Sequence, residues 1–154
     1  MKTSFSNKAQ IPNPALQQFN ILVGEWKTTG KHPLVPHKTL EGKSSFDWIE
    51  GGAFLTWHST LDDDRFPDGI AIFGSDDATG ELFMIYFDER KVSRKYDVSF
   101  ENNVLKWWRN HPKFSQRYSW TFAADNNTII GKGELSKDGK AWKKDLDMTF
   151  TRIK

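Results

Sequence analysis

Pro14-Ala15-Leu16-Gln17-Gln18-Phe19-Asn20-Ile21-Leu22-Val23-Gly24-Glu25-Trp26 is the stretch that decides the fold of this chain. Asn13 can cap a helix and Pro14 presets the backbone angle of its first residue, so a helical turn is expected to begin here. Leu16, Phe19, Ile21 and Leu22 give that turn one apolar stripe. It stops at Gly24, and Trp26 then falls just inside a first strand. Trp26 is expected to act as a structural plug at one end of whatever the strands build.

Downstream, short strand-like runs alternate with turn chemistry, and no second helical pattern is long enough to cover a parallel sheet. We expect strands over about 25–31, 39–49, 53–61, 69–75, 81–88, 92–100, 103–109, 114–123, 127–135 and 141–152. Gly51-Gly52, Asp68-Gly69, Thr79-Gly80, Asn102-Asn103, Asp125-Asn126-Asn127 and Asp138-Gly139 separate them, residues that tolerate positive φ or cap tight turns. Ten hairpin-linked strands would make a very wide open sheet. Closure removes its edges, so the expected fold is all-β: an antiparallel meander β-barrel of about ten strands with a short N-terminal helical turn.

Alternation along each strand then assigns faces. Val92, Arg94, Tyr96, Val98 and Phe100 should point inward, as should Phe114, Gln116, Tyr118, Trp120 and Phe122. Leu40, Gly42, Ser44, Phe46 and Trp48 read the same way, and the last strand turns Trp142, Lys144, Leu146, Met148 and Phe150 inside. Residues 81–88 are apolar on both faces. Their outer face therefore calls for cover, by the N-terminal turn or by a second subunit in a homodimer.

Composition bounds the function. The 154 residues suit one domain over 14–154, with 1–13 as a tail, and that length buries a core without disulfides or a structural metal. The chain has no cysteine, which removes thiol nucleophiles, iron–sulfur clusters and cysteine-ligated zinc and fits a reducing compartment. Met1 to Gln10 lacks the apolar region of a signal peptide, and no window has the length of a membrane span. The expected location is the cytoplasm. Residues 1–77 carry 7 Lys/Arg against 10 Asp/Glu and the remainder 15 against 10. Those cations are interleaved with acids, so no nucleic-acid partner is expected.

Seven Trp, three Tyr and twelve Phe supply walls for a small-molecule cavity. A barrel of about ten strands leaves more interior space than an eight-stranded one, so a cavity is expected in place of a solid core. Arg94, between Val92 and Tyr96 on an apolar face, must find a partner or hold its head at the barrel mouth. That partner is a ligand anion or an acid such as Asp88. Arg109 and Gln116 can meet across neighbouring strands. With Trp48, Tyr118, Trp120 and Lys144, these residues form the expected ligand-binding set.

No catalytic set is expected. Were the barrel an enzyme, Asp88, His58 or His111 would be its base. His58 and Trp57 face opposite ways on one strand, and His111 sits beside Pro112 in a turn. His32 and His37 lie among prolines in a loop that suggests no metal pair. Asp62-Asp63-Asp64 and Asp76-Asp77 lack calcium-loop spacing and read as solvated hairpin tips.

The helical turn followed by Gly24-Glu25-Trp26 resembles the signature of the calycins, the superfamily of lipocalins, fatty-acid-binding proteins and nitrobindins. Trp108-Arg109-Asn110-x-Pro112-x-Phe114-Ser-Gln-Arg117, Ser136-x-Asp138-Gly139-x-x-Trp142 and Asp145-x-Asp147-x-Thr149 resemble a group of bacterial lipocalin-like proteins, which implies a fold and little function. Arg94-x-Tyr96 is similar to the carboxylate clamp of fatty-acid-binding proteins, although here it stands mid-chain. Nitrobindins hold haem through a histidine near the C-terminus, and no histidine follows His111. Met148 or a tyrosine would have to serve, so no haem or other cofactor is expected. The leading expectation is a non-catalytic binder of a small hydrophobic or amphipathic molecule, with anionic molecules included in that class. The alternative is a barrel isomerase, cyclase or hydrolase.

Overall fold

A computed structural model describes residues 13–154, so all of the expected tail but Asn13 lies outside the described residues. Asn13 caps a 3-10 helix over Pro14–Leu22: its side chain accepts from the Ala15 N–H, its Nδ2 donates to Ser75 Oγ, and its own N–H donates to Gly52. A 3-10 helix has three residues per turn, which stacks every third residue on one side. Leu16, Phe19 and Leu22 have that spacing, and all three are fully buried.

The strands follow as β1 (Gly24–Lys31), β2 (Leu40–Ile49), β3 (Phe54–Leu61), β4 (Gly69–Ser75), β5 (Leu82–Asp88), β6 (Ser93–Glu101), β7 (Val104–Arg109), β8 (Ser115–Phe122), β9 (Thr128–Ser136), β10 (Lys143–Lys144) and β11 (Asp147–Arg152). Every pairing is antiparallel, and each strand from β1 to β9 pairs with the next. β9 also pairs with β10 and β11, and β11 pairs with β1. β10 and β11 are two pieces of one barrel position. The result is a closed antiparallel ten-strand barrel.

The tenth position departs from the expected unbroken strand. Between the pairs Lys144↔Glu134 and Met148↔Gly131, the chain takes four steps against three on β9. That is a β-bulge, and one extra residue exchanges the faces upstream of it. Met148 and Phe150 keep their inward orientation. Trp142 and Lys144 do not: Lys144 is exposed, and Trp142 lies outside with the Arg117 guanidinium over its ring at 3.8 Å. Asp145, which alternation placed outside, is brought in and buried.

The helix covers one end of the barrel from within. The Phe19 ring sits 5.3 Å from those of Phe73 and Phe100, and Trp26 is fully buried with its Nε1 donating to Leu22 O at 2.8 Å. Arg152 lays its guanidinium over the Trp26 ring at 4.1 Å and donates to the carbonyls of Val23, Ile21 and Asn126 and to Asn127 Oδ1. Trp48 belongs to this end too, its indole N–H donating to Asn20 Oδ1. Since the helix lies over the barrel end, it does not cover the outer face of β4 and β5. Ile70 opposite Phe87 and Ile72 opposite Ile85 stay partly or fully exposed there.

Candidate functional site

At the end away from the helix, the barrel interior holds a cavity of about 360 Å³. Such a volume is at the lower end of the range for pockets that enclose small molecules. Its deep wall is aromatic: Trp57, Trp107, Trp120, Tyr96, Tyr118 and Phe150 all line it. Trp107 stacks on Tyr118 with centroids 3.9 Å apart, and the edges of Trp57, Trp120 and Tyr96 meet its ring at steep angles. These are the favoured aromatic geometries.

Two glycines on β9 make the wall possible. A Cβ on Gly133 would stand 2.3 Å from the Tyr118 ring, and one on Gly131 would stand 2.9 Å from the Trp120 ring. The rings lie flat against bare backbone opposite, as the pairs Tyr118↔Gly133 and Trp120↔Gly131 require.

Polar groups gather on one side, with Gln116 at their centre. Its Oε1 accepts from the Tyr96 hydroxyl at 2.6 Å and from Arg94 Nη1 at 3.3 Å. Its Nε2 donates to Tyr118 Oη at 3.2 Å and to Asp145 Oδ2 at 3.1 Å. The Tyr118 hydroxyl donates to the same carboxylate oxygen at 2.5 Å. Asp145 Oδ1 lies 3.1 Å from His32 Nε2. Because His32 Nδ1 accepts the Leu34 N–H at 3.0 Å, Nε2 must carry the proton and donate. Burial raises the Tyr118 phenol well above its ordinary pKa, and the Asp145 charge adds to the effect. Burial likewise raises Tyr96, opposed by Arg94 and Arg109. Both phenols therefore stay protonated donors.

The mouth is ringed by arginines that differ in one respect. Arg65 is held by Asp63, which Lys38 also contacts, and Arg90 by Asp88. Arg94 has no carboxylate within 4.0 Å among the described residues; it meets the neutral Gln116 and the Phe114 ring, 4.8 Å from its guanidinium carbon. Asp63, expected at a solvated tip, is half-buried with its carboxylate shielded between Lys38 and Arg65, and these two cations hold its pKa well below the usual range. The expected alternative pairing of Arg94 with Asp88 is not formed.

Of the expected binding residues, Arg94, Tyr96, Gln116, Tyr118 and Trp120 line one cavity. Arg109 faces Gln116 across the β7–β8 ladder, as anticipated, and stays partly buried outside the lining. Trp48 is at the opposite end, and the bulge carries Lys144 to the surface. None of the three candidate bases borders the cavity. His58 is exposed on the outer face while its neighbour Trp57 points in, and His111 is exposed in its turn. Asp88 is locked by Arg90 and the Tyr86 hydroxyl; burial pushes its pKa up, but those hydrogen bonds outweigh it and hold it at about 2.

Asp145 and His32 escaped the sequence reading. Asp145 stands at the bulge that perfect alternation concealed, and His32 is a loop residue with no period to place it. No local signal set Asp145 apart, because Asp147 flanks Leu146 in the same way and both acids read as outward-facing.

No family model and no curated protein matches this sequence. Solved structures do match its shape. Rv2717c from M. tuberculosis superposes with a TM-score of 0.63 at 14% identity, over 92% of this chain and 98% of that one. The S-type phycobiliprotein lyase CPES from Guillardia theta gives 0.57 at 10% identity, over 93% and 95%. Zebrafish ileal bile acid-binding protein, complexed with cholic acid, gives 0.54 at 13% identity, over 86% and 99%. With the helical plug, the closed ten-strand barrel and these likenesses in place, the chain is shown to have a calycin-like fold.

Proposed function

We propose that this barrel is a non-catalytic binder of a small hydrophobic or amphipathic molecule, with an anionic group favoured at the mouth. The observation that carries the reading is an aromatic cavity whose strong acceptors, Asp145 and Gln116, are already engaged by the protein's own donors. A general base needs a free lone pair facing substrate. Here Asp145 is held from three sides and both His32 nitrogens are engaged. Arg94, lacking an acid partner, is the group that would meet a ligand anion, with Tyr96 beside it. The names of two structural neighbours, a bile acid-binding protein and a phycobiliprotein lyase, agree with a cavity built for organic ligands.

Haem does not fit the donor set. His32 is the one histidine at the cavity, and its ring is committed to Asp145 and Leu34. Met148 would be a lone thioether in the wall. We place the protein in the cytoplasm, in keeping with its lack of cysteine.

Native mass spectrometry of protein purified from cells tests the reading directly. A co-purified small molecule, or uptake of the anionic aromatic probe 1-anilinonaphthalene-8-sulfonate at one equivalent, is the expected result. A barrel that takes up neither is not a binder.

A further inference from the structure

A second recess, of about 640 Å³, lies outside the barrel on the wall formed by β7, β8, β9 and β10. Tyr118 borders both it and the aromatic cavity, so the two spaces back onto each other. The bulge helps to build the recess, because it sends Trp142 and Lys144 to the outer surface. The strand register divides its lining into two rows. Toward the mouth run Trp108 and Arg117, cross-strand partners, with Trp142 under the Arg117 guanidinium at 3.8 Å. The neighbouring row is Lys106, Ser119 and Lys132, paired in that order across β7, β8 and β9. Residues two apart on a strand stand about 7 Å from each other, which sets the distance between the rows.

Both rows hold groups that the fold leaves available. Trp108 and Trp142 are half-buried and line the recess. Arg117 is paired with Glu134 at 2.9 Å and Lys144 with Asp147 at 3.5 Å, but neither Lys106 nor Lys132 has a carboxylate within 4.0 Å among the described residues. Both of these lysines are exposed, and they stand on either side of the short Ser119 side chain. Two ammonium groups and a hydroxyl offer donors to a compact anion with several oxygens. The indoles and the guanidinium plane offer a surface on which a ring can stack. The free cations form one pair and not a track, with Glu134 and Asp147 beside them, which suits a single phosphate and not a polyanion.

We propose that this recess is a second binding site, for a flat-ring molecule bearing one phosphate group, as a mononucleotide does. The phosphate lies between Lys106 and Lys132 over Ser119, and the ring lies against Trp108 and Trp142. The site is independent of what the barrel interior holds.

Adenosine 5′-monophosphate, compared with its two halves, adenosine and ribose 5-phosphate, separates the contributions of the rows. In 15N-labelled protein the monophosphate should move the indole resonances of Trp108 and Trp142 and the amide of Ser119, and leave the indoles of Trp57 and Trp120 in place. Its affinity should exceed that of either half about tenfold. Replacing both lysines, Lys106→Gln with Lys132→Gln, should bring the monophosphate down toward the affinity of adenosine, and Trp142→Leu should bring it down toward that of ribose 5-phosphate. The lysines are exposed, so the double variant should keep the wild-type melting temperature. Should Trp142→Leu fail to fold, the three probes on the wild-type protein still decide. Unmoved outer indoles, shifts confined to the interior tryptophans, equal affinity for the monophosphate and ribose 5-phosphate, or unchanged affinity in the double lysine variant each overturn the proposal. All of these leave the interior binding function standing.

Discussion

The two ends of the barrel each hold an arginine laid against an aromatic ring, and they use it in opposite ways. At the closed end Arg152 covers Trp26 and donates to Ile21, Val23, Asn126 and Asn127, so the chain consumes its hydrogen-bonding capacity. At the open end Arg94 rests against Phe114 and makes a single 3.3 Å bond, to a neutral amide. One arginine completes the fold. The other retains donors for something outside the chain. What separates structure from function here is the supply of acceptors, not the residue type, because a guanidinium carries five N–H groups wherever it stands.

Four substitutions would break or sharpen that contrast. The largest effect belongs to the closed end. Trp26→Ala removes the fully buried plug and leaves the Arg152 guanidinium without its ring, and should cost about 3 to 5 kcal/mol in urea denaturation. A loss below 1 kcal/mol would mean that the closed end is not what holds the barrel together.

Gly133→Ala comes next, because its Cβ would overlap the Tyr118 ring. The ring must move away from Trp107 and Asp145, so binding of the fluorescent probe should fall at least tenfold while the cost in stability stays at about 1 to 3 kcal/mol. Unchanged probe affinity would show that the Tyr118 position is not needed for the cavity.

Arg94→Met should alter stability by no more than about 0.5 kcal/mol, as expected where no tight ion pair is lost. In exchange, anionic probes should weaken about tenfold and neutral ones hardly at all. Equal loss for both would reduce Arg94 to a packing residue.

The smallest effect is visible mainly in acid. Asp88 has a folded pKa near 2, below its ordinary 3.8, so its ionised form stabilises the folded state. That stabilisation is fully present above pH 4 and is lost as the pH falls toward 2. Asp88→Asn should flatten this part of the stability profile and, by leaving Arg90 at the mouth without its acid partner, tighten anionic probes at pH 7 by a few-fold at most while neutral probes stay unchanged.

Most of this architecture was legible in the residues. Turn chemistry placed the hairpins, and period-two alternation placed Arg94, Tyr96, Gln116, Tyr118 and Trp120 on the inside, because a buried face must be apolar at every second position. The plug was legible through Asn13, Pro14 and the spacing of Leu16, Phe19 and Leu22. Most of the failures trace to one place, the bulge in the last strand. Trp142, Lys144, Leu146, Met148 and Phe150 alternate without a break, so nothing local announces the extra residue that turns Lys144 out and Asp145 in. A bulge is fixed by what the neighbouring strand accepts, and here the Asp145 carboxylate gains three partners inside. His32 was equally invisible, since its place depends on Asp145, more than a hundred residues away. Trp48 followed the alternation correctly but lies too far along its strand, among residues that seal the closed end.

The pairing of β1 with β11 carries a kinetic consequence. Thr28 and Phe150 are partners in that seam, so the barrel cannot close until nearly the whole of its sequence has emerged and the last strand finds the first. Hairpins from β2 to β9 can zip locally and early, whereas the seam bears the entropy of closing a very long loop. During synthesis the nascent sheet would therefore carry two bare edges, one of them the Gly24–Lys31 strand, whose outward side chains include the charged Glu25, Lys27 and Lys31. Charge on an edge discourages pairing with the wrong chain. The polar side chains of β1 thus protect the protein during the interval before it becomes a barrel.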